Sequence, residues 1–242
     1  MWIAIATLAH AEVPALEPAR DIEVGAGLFF NAGGVFMTQP TDNKDGRPGL
    51  PYNGFGGFSP GGGLQLEARV HGFVGLELDI SRWAQTGKSE FTINGTSYPW
   101  SIQQNAWQVP LLLKFTAPVG IVKPSLFVGP EFVFVGTTTV NPPAWPITGV
   151  ALTAGTPNYT LWTFGIGFET ALPVEKMDFR IPFQIRLSDN PGIPKSAFDR
   201  ATYTVDGQPW DQVSNGTLEG VDYISEWQYQ AAVTLGLSYF FL

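Results

Sequence analysis

From Tyr229 onward the chain alternates residue by residue. Tyr229, Ala231, Val233, Leu235, Leu237, Tyr239 and Phe241 share one parity, while Gln228, Gln230, Ala232, Thr234, Gly236, Ser238 and Phe240 share the other. A period of two is a β-strand with one apolar face. A long apolar strand ending in aromatics is an aggregation hazard at the edge of a soluble sheet. In a closed transmembrane barrel the same strand has a use, because it seals against the first strand and faces lipid.

Seven further segments repeat the pattern: Ile22–Asn31, Gly63–Val70, Phe73–Ser81, Ala106–Phe115, Ser125–Val135, Tyr159–Glu169 and Asp178–Ser188, with Trp227–Leu242 as the eighth. Each is close to the length that crosses a bilayer at a tilt. The connections alternate too. His71-Gly72, Ala117–Gly120 and Pro173–Met177 are short; Phe36–Gly61, Arg82–Asn105, Gly136–Asn158 and Asp189–Ser225 are long. The expected fold is therefore all-β, an eight-stranded antiparallel up-and-down transmembrane β-barrel with short periplasmic turns and long extracellular loops. Pro110, Pro130 and Pro182 fall inside strands, where each removes a ladder donor, so bulges or weak pairing are expected there.

Alternation alone does not say which face points out, since a soluble ligand-binding barrel has the same period turned inside out. Only 14% of residues are charged, against roughly 25% in an ordinary soluble domain. The polar parity is rich in glycine and carries both signs of charge: Glu67, Arg69, Glu77, Asp79, Lys114, Glu131, Glu169, Arg180 and Arg186. Such a face suits a crowded lumen in which opposite charges pair. Trp107, Trp162 and Trp227 stand near one end of the apolar face, and Phe115, Phe168 and Phe241 near the other. These are the candidate aromatic girdles at two membrane interfaces.

Residues Met1–Ala11 form a short apolar run ending in Ala-His-Ala, which reads as a signal peptide over 1–11 followed by a single barrel domain over 12–242. The chain has no cysteine and a net charge of −8, with no basic stripe, which argues against nucleic acid as a partner. Its histidines are His10, in the expected signal, and His71, in a short turn. A histidine-activated nucleophile at the outer leaflet is thus unavailable, no metal or cofactor site is expected, and the chain does not read as an enzyme. The expected partners are outer-membrane lipid and, through the long loops, a surface or extracellular partner; the chain reads as a monomer. The loops carry Tyr52, Phe55, Phe58, Tyr98, Trp100, Trp145, Tyr203, Trp210 and Tyr223, residues suited to such contacts or to packing loops on one another.

The stretches Gln108–Phe115 (QVPLLLKF), Lys123–Pro130 (KPSLFVGP) and Gly165–Glu169 (GIGFE) resemble strands of the outer-membrane β-barrel "porin family", the PorT-like and opacity-like small barrels. Pro110 and Pro130 match positions where that family carries proline. The resemblance covers most of Asp21–Leu242 and implies the fold and a Gram-negative outer membrane more than any activity. Thr234, Gly236, Tyr239 and Phe241 resemble the signal read by the barrel-assembly machinery, with Leu242 as a departure beyond it. The leading expectation is an outer-membrane interaction scaffold with a lumen largely filled by side chains. The alternatives are a narrow porin or channel and a soluble periplasmic lipocalin-like carrier.

Overall fold

The computed structural model describes residues 21–37, 55–93, 96–117, 119, 121–141, 151–155, 158–172, 174, 177–192, 203–205, 208–209, 218–224 and 227–241. The expected signal peptide over 1–11, together with Tyr52, Trp145, Trp210 and Leu242, lies outside them. The strands are β1 (Ile22–Met37), β2 (Phe55–Val70), β3 (Val74–Ile93), β4 (Thr96–Thr116), β5 (Val122–Asn141), β6 (Ala151–Gly155), β7 (Tyr159–Ala171), β8 (Asp178–Asp189), β9 (Tyr203–Val205), β10 (Gln208–Pro209), β11 (Leu218–Ile224) and β12 (Tyr229–Phe240). Eight of them close into a barrel in the order β1-β12-β8-β7-β5-β4-β3-β2, with every neighbouring pair antiparallel. The other four make a small sheet, β10-β9-β11-β6.

The pairing fixes the barrel's geometry. Val24 pairs with Ala68, Ala68 with Leu76, Leu76 with Leu113 and Leu113 with Val128. Val128 pairs with Phe164, Phe164 with Leu187, Leu187 with Ala231 and Ala231 with Gly34. One circuit thus returns to β1 at Gly34, ten residues beyond Val24. That stagger over eight strands corresponds to a tilt of roughly 40°. The first and last strands meet along their length, from Gly25 opposite Phe240 to Phe36 opposite Tyr229, and the Phe241 amide donates to the Val24 carbonyl at 3.0 Å.

Short turns join β2 to β3, β4 to β5 and β7 to β8. In the first, His71 and Gly72 take φ of 52° and 66°, and the Phe73 amide donates to the Val70 carbonyl at 3.0 Å. Positive φ at both central residues is the hairpin geometry that follows the strands' own twist. The prolines weaken the ladders without shifting them. The β3–β4 pairing skips from Leu78–Leu111 to Ser81–Gln108 beside Pro110, and the β4–β5 pairing from Pro110–Glu131 to Leu113–Val128 beside Pro130. The β8–β12 pairing skips likewise from Leu235–Phe183 to Ser238–Arg180 beside Pro182. Each resumes in register. Among the described residues of the barrel, the one bulge lies instead between Gln104 and Ala106.

The strands run longer than expected from the sequence. Arg82–Asn105, expected as a loop, is the upper half of a β3–β4 hairpin, paired down to Ile93 opposite Thr96. β1 runs on to Met37 and β2 begins at Phe55, inside the expected loop Phe36–Gly61, and β5 reaches Asn141. Within Gly136–Asn158 and Asp189–Ser225 the chain forms β6, β9, β10 and β11, with β6 and β11 parallel. For the extensions of β3, β4 and β5 the physical reason is that they lie above the apolar band, where many outward residues are polar and the apolar period fades.

Burial alternates along the strands, inward residues covered and outward ones exposed. The outward set is apolar: Leu28, Phe30, Leu64, Leu66, Leu76, Ile80, Leu111, Leu113, Leu126, Phe132, Phe164, Ile166, Ile185, Leu235 and Leu237 are all exposed. The inward set is mostly polar or charged. This is the inverse of a soluble core and the pattern of a barrel with an apolar outer band.

Candidate functional site: the charged lumen

The inward parity brings charges from six strands into contact. Near the short-turn end, Arg69 of β2 holds Glu67 beside it and clamps Glu169 of β7, with Nη1 donating to Oε1 at 2.6 Å. Arg180 of β8 donates from Nη1 to Glu23 of β1 and to Glu169, each at 3.0 Å, and from Nη2 to Asp178 at 2.7 Å. Further in, Nζ of Lys114 on β4 donates to Glu67 at 3.0 Å and to Glu77 of β3 at 2.7 Å. Arg186 of β8 donates to Glu77 at 2.9 Å and pairs with Asp79 at 2.6 Å. Gln184 closes this layer with donations at 3.0 Å to both Glu77 oxygens.

Eight of the nine charges expected in the lumen thus form one connected network. Glu131 stands apart, accepting from Thr163 and, at 3.2 Å, from Ser188. Glu23, Asp178 and Gln184 join the network but were not singled out in the sequence. Glu23 lies on the polar parity of the first strand, one residue inside it, so its place was readable. Buried ions cost several kcal/mol each to desolvate, and mutual pairing offsets this only with good geometry. The lumen is also unbalanced: Glu23, Glu67, Glu77, Asp79, Glu131 and Glu169 are buried against Arg69, Lys114, Arg180 and Arg186.

Inward aromatics sit opposite glycines on the next strand. Phe240 faces Gly25, Phe29 faces Gly236, Phe127 faces Gly165 and Trp83 faces Gly61. A Cβ at Gly25 would fall 2.8 Å from the Phe240 ring, and one at Gly165 would fall 2.5 Å from Phe127. The missing side chains make room for the rings, and guanidinium groups cover the three phenyl rings. Arg180 lies 3.9 Å and Arg69 5.0 Å from the Phe240 centroid, and Arg186 lies 5.7 Å from that of Phe29. Stacking of this kind lets a desolvated cation keep a favourable neighbour.

Above the charges lies an amide layer. Gln108 and Gln230 exchange hydrogen bonds at 2.9 and 3.1 Å, and Gln85 donates to Gln230 at 3.3 Å. Trp227 donates from its indole to Gln85 at 2.9 Å and is fully buried. This corrects its expected place in an outer girdle. Regular β12 starts at Tyr229, and Trp227 and Gln228 are both buried, so counting back by twos from the strand fails there. Trp107, Trp162, Phe115, Phe168 and Phe241 do face outward. Tyr229 occupies the outward position near Trp162 instead, both opposite Asp189.

Of the residues resembling an assembly signal, Tyr239 and Phe241 are outward, with the Tyr239 ring 5.1 Å from Phe179. Thr234 turns inward and donates to Asn31. The strands resembling the porin family, on β4, β5 and β7, are consecutive neighbours in the wall. Among the described residues no group of three or more His, Asp or Glu side chains is arranged to hold a metal ion.

No family model matches the chain, and no curated protein matches it either. Among solved structures it is similar to the N-terminal β-barrel domain of OprF from Pseudomonas aeruginosa, at 9% identity and a TM-score of 0.37, covering 89% of this chain and 97% of that one. It is also similar to the outer membrane protein OprG from Pseudomonas aeruginosa, at 10% identity and a TM-score of 0.37, covering 93% of this chain and 97% of that one. The eight-stranded closure stands on the chain's own register.

Proposed function

We propose that this chain is an outer-membrane β-barrel that serves as a closed interaction scaffold, with no catalytic role and no cofactor. The observation that carries the reading is the ion network that ties β1, β2, β3, β4, β7 and β8 across the lumen. Those bridges stiffen the wall and occupy the passage, while the outer band meets lipid and the long-loop end is free to meet partners. Folding there through the barrel-assembly machinery, as a monomer, and kinship with the PorT-like and opacity-like barrels belong to the same proposal. A soluble carrier would need the opposite distribution, with an apolar lumen and a charged exterior. The lone described histidine, His71, is exposed in a turn, 3.4 Å from Asp21. Planar-bilayer recording on the purified protein tests the proposal: membrane insertion without steady conductance is expected, and large sustained single-channel currents would overturn the closed scaffold.

The second reading is a narrow channel. What favours it is the excess of buried carboxylates over cations, which would make any current cation-selective. Reversal potentials in a salt gradient separate it from leakage, which shows no such preference.

A further inference from the structure

We propose that the outer face of the β3–β4–β5 wall binds the phosphorylated oligosaccharide headgroup of a glycolipid in the surrounding leaflet, an inference that rests on the outer-membrane reading. The wall is asymmetric. β7 ends its pairing with β5 at Tyr159 opposite Val133, and β8 ends at Asp189, yet β3, β4 and β5 continue to Ile93, Thr96 and Asn141. From Arg82 to Ile93 the rise is on the order of 25 Å at this tilt.

On this side the outward residues change character abruptly. Below lie Leu76 and Ile80 on β3, Leu113 and Leu111 on β4 and Phe132 on β5. Trp107, opposite both Arg82 and Phe134, marks the edge of the band. Above it the exposed residues of β4 and β5 are largely amides and hydroxyls, and those of β3 include Lys88 and Glu90. Asn105 donates to Thr137 at 3.2 Å, Asn141 donates to Ser101 at 3.2 Å, and Gln103 lies opposite Thr139. The bulge at Gln104–Ala106 keeps this pattern on one face, because it shifts the parity of β5 so that Thr137 and Thr139 turn outward.

Two arguments select the occupant. The polar surface is continuous with the lipid-facing band, which sets it level with the headgroups of the lipids that meet that band. Its amides and hydroxyls can both donate to and accept from sugar hydroxyls. The charges nearest the band also differ between the two sides. Arg82 and Lys88 are exposed on the wall, with Glu90 farther up accepting from Ser97 at 2.7 Å, whereas the matching edge of β8 carries exposed Asp189. A phosphate is therefore drawn to the wall, where a guanidinium binds it with two parallel bonds.

The experiment folds the full chain into phosphatidylethanolamine–phosphatidylglycerol vesicles with and without lipopolysaccharide, then measures lipid retained on the extracted protein by native mass spectrometry. The variants are Arg82→Ala/Lys88→Ala, Gln103→Ala/Asn105→Ala/Thr137→Ala and, as a control on the opposite side, Asp189→Asn. Wild type and the control should retain lipopolysaccharide in preference to phosphatidylglycerol. The charge variant should lose about tenfold in retention, as expected for losing a charge-assisted contact. Equal retention by all variants, or no preference over phosphatidylglycerol, overturns the inference while leaving the membrane barrel intact. Failure to fold in either vesicle, judged by heat-modifiable migration, overturns the membrane reading itself.

Discussion

The guanidinium of Arg180 lies over the ring of Phe240, 3.9 Å from its centroid, and that ring in turn lies over Gly25. Cation, ring and glycine form one stack at the short-turn end of the lumen, joining β8, β12 and β1. Adding a methyl at Gly25 forces the ring up into the arginine. Gly25→Ala should therefore destabilise the barrel by about 1–3 kcal/mol, the usual cost of overpacking. Phe240→Leu in the same chain should recover much of that loss. Urea unfolding of the folded protein in detergent or vesicles measures both, and additivity of the two substitutions would refute the stack.

Glu77 accepts from Lys114, Arg186 and Gln184 at once. Glu77→Ala leaves two buried cations short of a partner and should cost about 3–5 kcal/mol. Pairing it with Lys114→Met should cost less than the two single changes summed. A double-mutant cycle by denaturant unfolding reads the coupling directly.

Trp227 and Trp107 were both expected at the outer interface, and the barrel separates them. Single-tryptophan variants in brominated-lipid vesicles should show strong quenching for Trp107, which is exposed, and little for Trp227, which is buried against Gln85. Comparable quenching would restore Trp227 to the girdle.

Gln104 is buried, and neither of its amide atoms finds a partner among the described residues. An unpaired buried amide costs about 1–3 kcal/mol. Gln104→Leu, close in volume, should raise stability by about 1 kcal/mol, measurable as a higher urea midpoint at unchanged slope. A fall in the midpoint would mean that the amide is paired in solution.

The strands that cross the apolar band were legible because burial there inverts at every residue, so side-chain character reports orientation directly. That holds for Leu64 against Gln65, or Leu113 against Lys114. Above the band both faces turn polar: Lys88 points out and Gln85 points in, and hydrophobicity no longer distinguishes strand from loop. The whole β3–β4 extension was hidden for that reason. The lumen charges were legible as a set of inward positions, but their connectivity was not. Which carboxylate meets Lys114 depends on the stagger between strands, and only the register supplies it. The glycine–aromatic pairs were hidden in the same way: Gly165 and Phe127 look unrelated until β5 and β7 are aligned.

The seam between β1 and β12 has a consequence for how the molecule is made. Asn31 and Thr234 touch across it, although nearly the whole chain separates them. Joining such distant segments is the slowest kind of contact to form, because the intervening loop must close first. Until it forms, β1 carries a row of unmatched amides that hydrocarbon does not tolerate. The barrel consequently has no stable half-built form in a bilayer. On the outer-membrane reading, that open edge has to stay shielded until the final strand arrives.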